Sequence, residues 1–363
     1  MIENFKCHNK FQEDLGGINI LAGENAAGKS SIIQSILLWD YISRSKDRKS
    51  FSTFNFSEYD IGVASDLLYQ NADYQEIIIK IKTKDGTFKY GLKPYDSDDT
   101  LLGIHRSIIG KEPNCTRPNY RLYYLNAERI GPQLVNPIVY EGWNNVGIHG
   151  QNTVYVMNQL DKTLQLGDTR KKLPDKLKIS EINRFSANCE AWLNVIIPGT
   201  RLNTKVEPAH GIASIRFNNY GDTYYSPTAT GFGLSYSLPI IVQGLIAAMF
   251  DNSVLIIENP EAHLHPYSQS MMGKFLAYVA MTGTQVFVET HSEHFVNGCR
   301  LQLGKENMCD LAKIFFFYRD GEIKHEQILL DSYGNMTHWP RGFFDQEQMD
   351  LREILKLRFG NKE

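Results

Sequence analysis

The segment Gly23-Glu24-Asn25-Ala26-Ala27-Gly28-Lys29-Ser30 satisfies G-x-x-x-x-G-K-[ST] at every fixed position. An apolar run, 18–22, precedes it. The stretch that follows repeats apolar residues at helical spacing: Ile32, Ile33, Ile36, Leu37 and Tyr41. Such a chain has to fold a strand, a tight turn and a helix in immediate succession, a unit of parallel α/β sheets. Glycines let the loop curl so that successive N–H groups point inward, and the helix N-terminus adds its positive dipole end. Together they form a phosphate cradle. Gly23, Asn25, Ala26, Ala27, Gly28, Lys29, Ser30 and Ser31 are therefore the candidate ATP-binding residues. Lys29 is expected at the β/γ-phosphates and Ser30 at Mg²⁺. A glycine-rich turn without a ligand is the alternative, and motif and context together weigh against it.

Composition narrows the class. The 363 residues are 42% hydrophobic and 22% charged, which is globular and not disordered composition. Lys plus Arg is 38 against 41 Asp plus Glu, a net charge of −3. That excludes a uniformly basic nucleic-acid coat. Two local basic groups remain: Arg44, Lys46, Arg48 and Lys49, and Arg170, Lys171, Lys172, Lys176 and Lys178. Such runs are more often solvated faces, so DNA stays an option that net charge does not favour. Cys7, Cys115, Cys189, Cys299 and Cys309 are odd in number with no C-x-x-C, fitting neither a disulfide framework nor a zinc site. A reducing cytoplasm is the expected location. The N-terminus has no apolar core of a signal peptide. The longest apolar candidate, 238–250, holds Gln243 and Gly244 and falls short of the ~20 residues of a membrane span, so no membrane association is expected.

The remaining elements alternate. Strands are expected at 2–7, 121–127, 204–207, 214–218, 254–258, 285–289, 313–318 and 323–330, and a hairpin at 75–84 and 87–93 turned at Asp85-Gly86. Helices are expected at 29–43, 155–173, 179–195, 239–250, 266–280, 293–303 and 345–358. The helix at 239 is taken to open on Pro239, a residue tolerated at a first helical position. The predicted architecture is α/β. A P-loop core of 1–45 and 230–363 carries an inserted β-rich and helical lobe, 46–229, in one head spanning 1–363.

Three further segments carry chemistry. The apolar strand 254–258 ends in Glu258, where the metal-side acid of a P-loop site belongs, and Glu261 is the nearest downstream carboxylate that can position a water. By itself an acidic turn after a buried strand would be unremarkable, but the P-loop raises its weight. His263 and His265 form H-x-H without a third ligand, and read as structural or capping residues. The strand 285–289 leads into Thr290-His291-Ser292. A polar cluster at the C-terminal end of a parallel strand is where such sheets place ligands, so His291 is a candidate for the γ-phosphate or the attacking water. The glycine-rich segment 228–239, with Gly231, Gly233 and Ser235, can offer N–H groups and a hydroxyl to an anion. In isolation it reads better as a linker before a core helix.

The order of P-loop, glycine/serine segment, acidic strand and histidine resembles the ATP-binding-cassette head of the SMC, RecF and OLD-like ATPases. The stretches Ile2-Glu3-Asn4-Phe5-Lys6, Tyr124-Leu125-Asn126-Ala127-Glu128-Arg129-Ile130-Gly131-Pro132, Glu258-Asn259-Pro260-Glu261-Ala262-His263-Leu264-His265-Pro266 and Trp339-Pro340-Arg341-Gly342-Phe343-Phe344-Asp345 are similar to bacterial AAA-type ATPases carrying the domain of unknown function 3696. The resemblance covers nearly the whole chain. It implies an ABC-ATPase-head fold and Mg²⁺-dependent ATP hydrolysis with catalytic Glu258, Glu261 and His291. Ser30 and Glu258 would hold Mg²⁺. A homodimer or higher homo-oligomer would place Gly231, Gly233 and Ser235 in trans at the partner's nucleotide. Members resemble ATPases found beside nucleases in anti-phage defence, such as the Septu arrangement of ATPase and HNH nuclease. The implied partner is a nuclease effector from a neighbouring gene. Two departures stand out. Asn259 occupies the usual catalytic Glu position, so Glu261 or Glu289 replaces the base or turnover is slow. The glycine/serine segment also lacks the common L-S-G-G-Q. No heptad run supports a long coiled coil. A nucleotide-gated switch with little turnover and a DNA-repair-type head acting on DNA ends are the alternatives.

Overall fold

The computed structural model describes residues 1–44, 49–53, 61–95, 98–110, 119–139, 144–165, 172–219 and 221–359. Cys115, Lys46, Arg48, Arg170 and Lys171 lie outside them.

The core is a six-stranded sheet. It contains β3 (Ile18–Gly23), β8 (Arg121–Leu125), β12 (Ser253–Glu258), β13 (Gln285–Glu289), β14 (Ala312–Asp320) and β15 (Glu322–Ile328). Their order is β15-β14-β3-β13-β12-β8, all parallel except β15, which returns antiparallel to β14. The central strands read as continuous apolar runs because both faces are covered. Alternate residues serve opposite sides. Ile20, Ile257 and Val288 enter one core with helices α3 (Thr153–Gln165), α4 (Phe185–Ile196), α5 (Phe232–Ala248), α6 (Pro266–Met281) and α7 (Glu293–Lys305). Leu21, Ile256 and Phe287 enter a second core with α1 (Lys29–Ser43).

That second core is closed by an antiparallel sheet of β1 (Ile2–Phe5), β2 (His8–Phe11), β4 (Ser50–Ser52), β5 (Ile77–Thr83), β6 (Gly86–Tyr95) and β7 (Asp98–Gly110), in the order β2-β1-β5-β6-β7-β4. The short α2 (Ala64–Leu67) packs beside it. A small sheet of β9 (Asn136–Pro137), β10 (Arg201–Glu207) and β11 (Ile212–Asn218) lies by α3 and α4. An exposed helix, α8 (Gln346–Phe359), follows.

The division drawn in the sequence at 46 and 229 cuts across both large sheets. β8, from the middle segment, pairs in parallel with β12 at the core edge, while β1 and β2, from the first 45 residues, pair into the antiparallel sheet. Strand pairing is long-range, so sequence blocks do not reveal it. The 13-residue β7 is a strand that the sequence reading missed.

The helix expected at 239 begins at Phe232, with Gly231 as its N-cap and Pro239 in its interior. Proline lacks the N–H that would have bonded Ser235 O, and the helix tolerates that loss. Residues 231–235 are thus a helix start and not a linker. Among the described residues the longest helix is α5, at 17 residues, too short for a coiled-coil arm, and no helix is long and apolar enough to cross a membrane.

Candidate nucleotide site

The P-loop is shaped by two glycines. Gly23 ends β3 at φ +134°, and a Cβ there would lie 2.0 Å from Phe317 O on β14. Gly28 caps α1 at φ +85°, and a Cβ there would meet Cys7 Sγ at 2.5 Å. Both positions demand a residue without a side chain. The first turn of α1 carries no acidic side chain and no side-chain cap, which leaves its N–H groups for an anion. His8 Nε2 lies 2.9 Å from Gly28 O, so the β1–β2 turn braces the loop. Lys29 Nζ donates to Gly23 O at 3.1 Å and Glu24 O at 2.6 Å. Its pKa is lowered by burial, with the carboxylates of Glu289, Glu24 and Glu261 opposing. Arg319, at the end of β14, donates from Nη2 to Ala26 O at 3.3 Å.

Ser30 Oγ donates to Glu289 Oε1 at 3.0 Å. β13 lies between β3 and β12, and its Glu289 is in register with Glu258 on β12. Glu289, rather than Glu258, therefore meets the P-loop serine. Burial first, and the neighbouring Glu258 carboxylate second, push Glu289 up to about 7. Glu258 accepts from Tyr124 Oη at 3.0 Å and Ala127 N at 3.4 Å, yet burial still raises it. Glu261 accepts from His291 N at 2.6 Å and is likewise raised by burial. The Oε2 atoms of Glu289 and Glu261 are buried with no hydrogen-bond partner. Unpaired carboxylate oxygens beside a hydroxyl are the donors a hard divalent cation takes, and Mg²⁺ completes its shell with waters and phosphate oxygens. The residues fit Mg²⁺.

His291 follows β13 as an exposed residue whose ring is only partly desolvated, and that desolvation, together with the Lys29 charge, lowers its pKa. Asn259 adopts φ +45°, donates from N to Glu289 O at 2.8 Å, and keeps Oδ1 buried without a partner. Arg129 sits beneath this turn, 3% exposed. It donates from Nη1 to Asn126 O and Glu258 O at 2.9 and 2.7 Å, and from Nη2 to Asn259 O at 2.6 Å. Its guanidinium carbon lies 5.3 Å from the Tyr236 ring centroid on α5, and burial brings its pKa down to about 10.

The three candidates on α5 divide. Gly231 is exposed, with nothing within 4 Å of where a Cβ would stand, and Gly233 packs on His263 O, which a Cβ would approach to 2.8 Å. Ser235 lies one turn into the helix, half-buried, and lines a small cleft with Gly131, Gly150 and Pro239. His263 packs against Phe232 and Tyr236, and His265 occupies the N-cap position of α6 without a side-chain capping bond.

Sequence reasoning left Arg129, Tyr124 and Arg319 without roles. The first two lie in the 124–132 motif, where the Glu128-Arg129 pair just after an apolar strand was the available signal. Arg319 had none.

Comparisons with known proteins now bear on this geometry. Residues 1–190 match the AAA domain family, 147–296 the AAA ATPase domain, and 310–354 a protein family of unknown function, DUF3696. The OLD nuclease of Thermus scotoductus (strain ATCC 700910 / SA-01) is 20% identical over 327 residues, which cover 83% of this chain. The chain spans 60% of the length of that relative. The fold is similar to two solved Smc heads. One, bound to the C-winged helix domain of ScpA, has 15% identity, a TM-score of 0.52, and coverage of 91% of this chain and 96% of that one. The other, with an extended coiled coil and bound to the C-terminal domain of ScpA derived from Pyrococcus furiosus, has 14% identity, a TM-score of 0.54, and coverage of 98% of both chains. With half its length in the AAA domain match, an AAA ATPase domain match overlapping that region, and a head-type α/β fold around the loop, the chain belongs to the AAA domain family of ATPases.

Proposed function

We propose that the chain is an Mg²⁺-dependent ATPase whose nucleotide state controls pairing with a second copy and, through it, a nuclease effector of anti-phage defence. The observation that carries the reading is the Ser30–Glu289 contact next to unpaired carboxylate oxygens and buried Lys29. Lys29 turns from the loop carbonyls to the β/γ-phosphates, where a point charge counts most among neutral donors. Ser30 and Glu289 hold the metal, with Glu258 behind them. Bound Mg²⁺ supplies charge neutralisation at the transferring phosphoryl group. Glu261 positions the attacking water and accepts its proton, since burial has raised its basicity and Asn259 has no carboxylate. His291 orients the γ-phosphate side.

Phosphoryl transfer by positioning and electrostatics needs water excluded, and a single head leaves the exposed turn at His291 open to solvent. The reading closes it with the α5 start of a second copy, Gly231 and Gly233 foremost and Ser235 behind them. In this reading the nuclease is a separate partner protein. Cys7, Cys189, Cys299 and Cys309 are free thiols, which suits a cytoplasmic setting. DNA contact by the basic groups is secondary.

The test is complementation. Gly231→Arg protein and Lys29→Ala protein are each expected to lack turnover. Mixed, they form a pair in which one site carries both defects and the other none, so partial activity returns. Gly231 is the better position for the bulky cation, because it has open space around it whereas Ser235 is half-buried against its own protomer. No recovery, with full activity of Gly231→Arg alone, would reject the shared site.

A second reading is a switch with little turnover. It is favoured by Asn259, which is held in place by Arg129 and cannot act as a base. A fast single turnover followed by slow steady state, unaffected by DNA, would select it. DNA-stimulated turnover would select a repair-type head.

A further inference from the structure

Two further features flank the nucleotide site. The first is Phe232, the opening residue of α5. Its ring is 52% exposed, yet it is not free to wander, because it packs 5.2 Å from the His263 ring and 6.3 Å from Tyr236. Beside it, Gly231 leaves open space. An aromatic held rigidly at the tip of an otherwise bare turn has the form of an interface anchor: it brings a large apolar area at little ordering cost.

The second is a cavity of 560 Å³ beside the P-loop. Its polar side is Glu24, Asn25, His291, Asp345 and Gln346. Its apolar side is Phe343, Phe344 and Met349, from the segment of unknown function. That segment is pinned. Phe343 is 1% exposed and stands edge-on to Phe316 of β14 at 5.3 Å and to Trp339 at 5.3 Å. Phe316 is in register with Ala22 on the P-loop strand. The aromatic wall is therefore tied through one strand to the loop itself. Met349 remains 40% exposed at its mouth.

We propose that this cavity receives Phe232 of a second copy of the chain. The inference rests on the shared-site reading and names the contact that the reading lacks. Asn25 and His291 line the cavity, and that reading brings the α5 start of a second copy to this edge of the P-loop. Its half-apolar lining suits a ring followed by backbone N–H groups that continue toward the phosphates. Under two-fold symmetry each protomer donates one Phe232 and receives one, so the contact closes at two subunits instead of propagating into a fibre. The role assigned to the 310–354 segment is that of receptor for the partner's helix.

The experiment uses full-length protein. Phe232→Cys and Met349→Cys variants, mixed with Mg²⁺ and a non-hydrolysable ATP analogue under mild oxidation, should give a disulfide-linked dimer that neither variant forms alone and that disappears without nucleotide. Phe232→Asp should weaken nucleotide-dependent dimerisation at least tenfold by light scattering, and Phe232→Leu should restore part of it. If wild type or Glu258→Gln dimerises with ATP but no cross-link forms and Phe232→Asp dimerises normally, this inference fails and the shared-site reading stands. If neither wild type nor Glu258→Gln dimerises with nucleotide, the shared-site reading falls and takes the inference with it. Cross-linking of Met349→Cys to a co-purified different protein, with none between copies, overturns the inference in favour of an effector dock.

Discussion

Ser30 Oγ donates to Glu289 Oε1 at 3.0 Å, and this ties the P-loop serine to the end of β13 instead of to Glu258 on β12. The two acids thus have separable duties. Glu289→Gln is expected to weaken Mg²⁺-dependent nucleotide binding about tenfold, since one metal-side charge goes while the hydrogen bond to Ser30 survives. Glu258→Gln is expected to leave binding within a few-fold and slow hydrolysis. Isothermal titration with Mg²⁺-ATP and a phosphate-release assay on both variants check the assignment, and the reversed pattern would restore Glu258 as the metal acid.

The raised pKa of Glu289 makes a pH prediction with a definite sign. Its folded value is about 7, against about 4.3 in an unfolded chain. Between those values the folded state binds the extra proton, so its contribution to stability falls as pH rises from about 4.3 through 7. Gln mimics the protonated form. In the nucleotide-free protein, the melting temperature of Glu289→Gln should equal that of wild type near pH 4 and exceed it by a margin that grows up to about pH 7 and then levels off. Thermal unfolding from pH 4 to 8 decides; a constant difference would place the titration elsewhere, on Glu258 or Glu261.

Lys29 Nζ donates to the loop carbonyls of Gly23 and Glu24. Lys29→Ala should lower ATP affinity by about a hundredfold, because no other cation among the loop residues replaces the charge. An unchanged dissociation constant would refute the P-loop assignment.

Gly23→Ala should be a folding defect before it is a binding defect. The added Cβ meets Phe317 O at 2.0 Å in a left-handed backbone. Strain of this kind costs about 2 kcal/mol or more, read as a lower urea midpoint, whereas Gly221→Ala, also left-handed but with open space around it, should lose less.

Arg129 buries a charge on three main-chain carbonyls. Arg129→Met leaves those acceptors unpaired and should destabilise by about 2 kcal/mol or more. It should also cut turnover more than ATP affinity, because Glu258 and Asn259 lose their brace. Equal losses in both would mean that Arg129 supports the fold alone.

Local information decided a defined part of this molecule. The P-loop, its strand and its helix were legible because the motif's spacing, the glycines and the apolar periodicity lie within about 25 neighbouring residues, and backbone sterics act at that range. The core strands ending in Glu258 and Glu289 were legible too, since a strand buried on both faces must be apolar throughout. The start of α5 was misread because Pro239 outweighed the glycines as local punctuation, and only packing against His263 and the core shows that the helix begins seven residues earlier. Tertiary structure alone decided the rest. Strand order inserts β13 between β3 and β12 and so hands Ser30 to Glu289. Parallel register sets Glu258 beside Glu289, whose pKa its charge raises further above what burial alone does, and Arg129 reaches the acidic turn from 129 positions away. Pairing and burial of this kind depend on contacts between distant segments, and no window of sequence contains both partners.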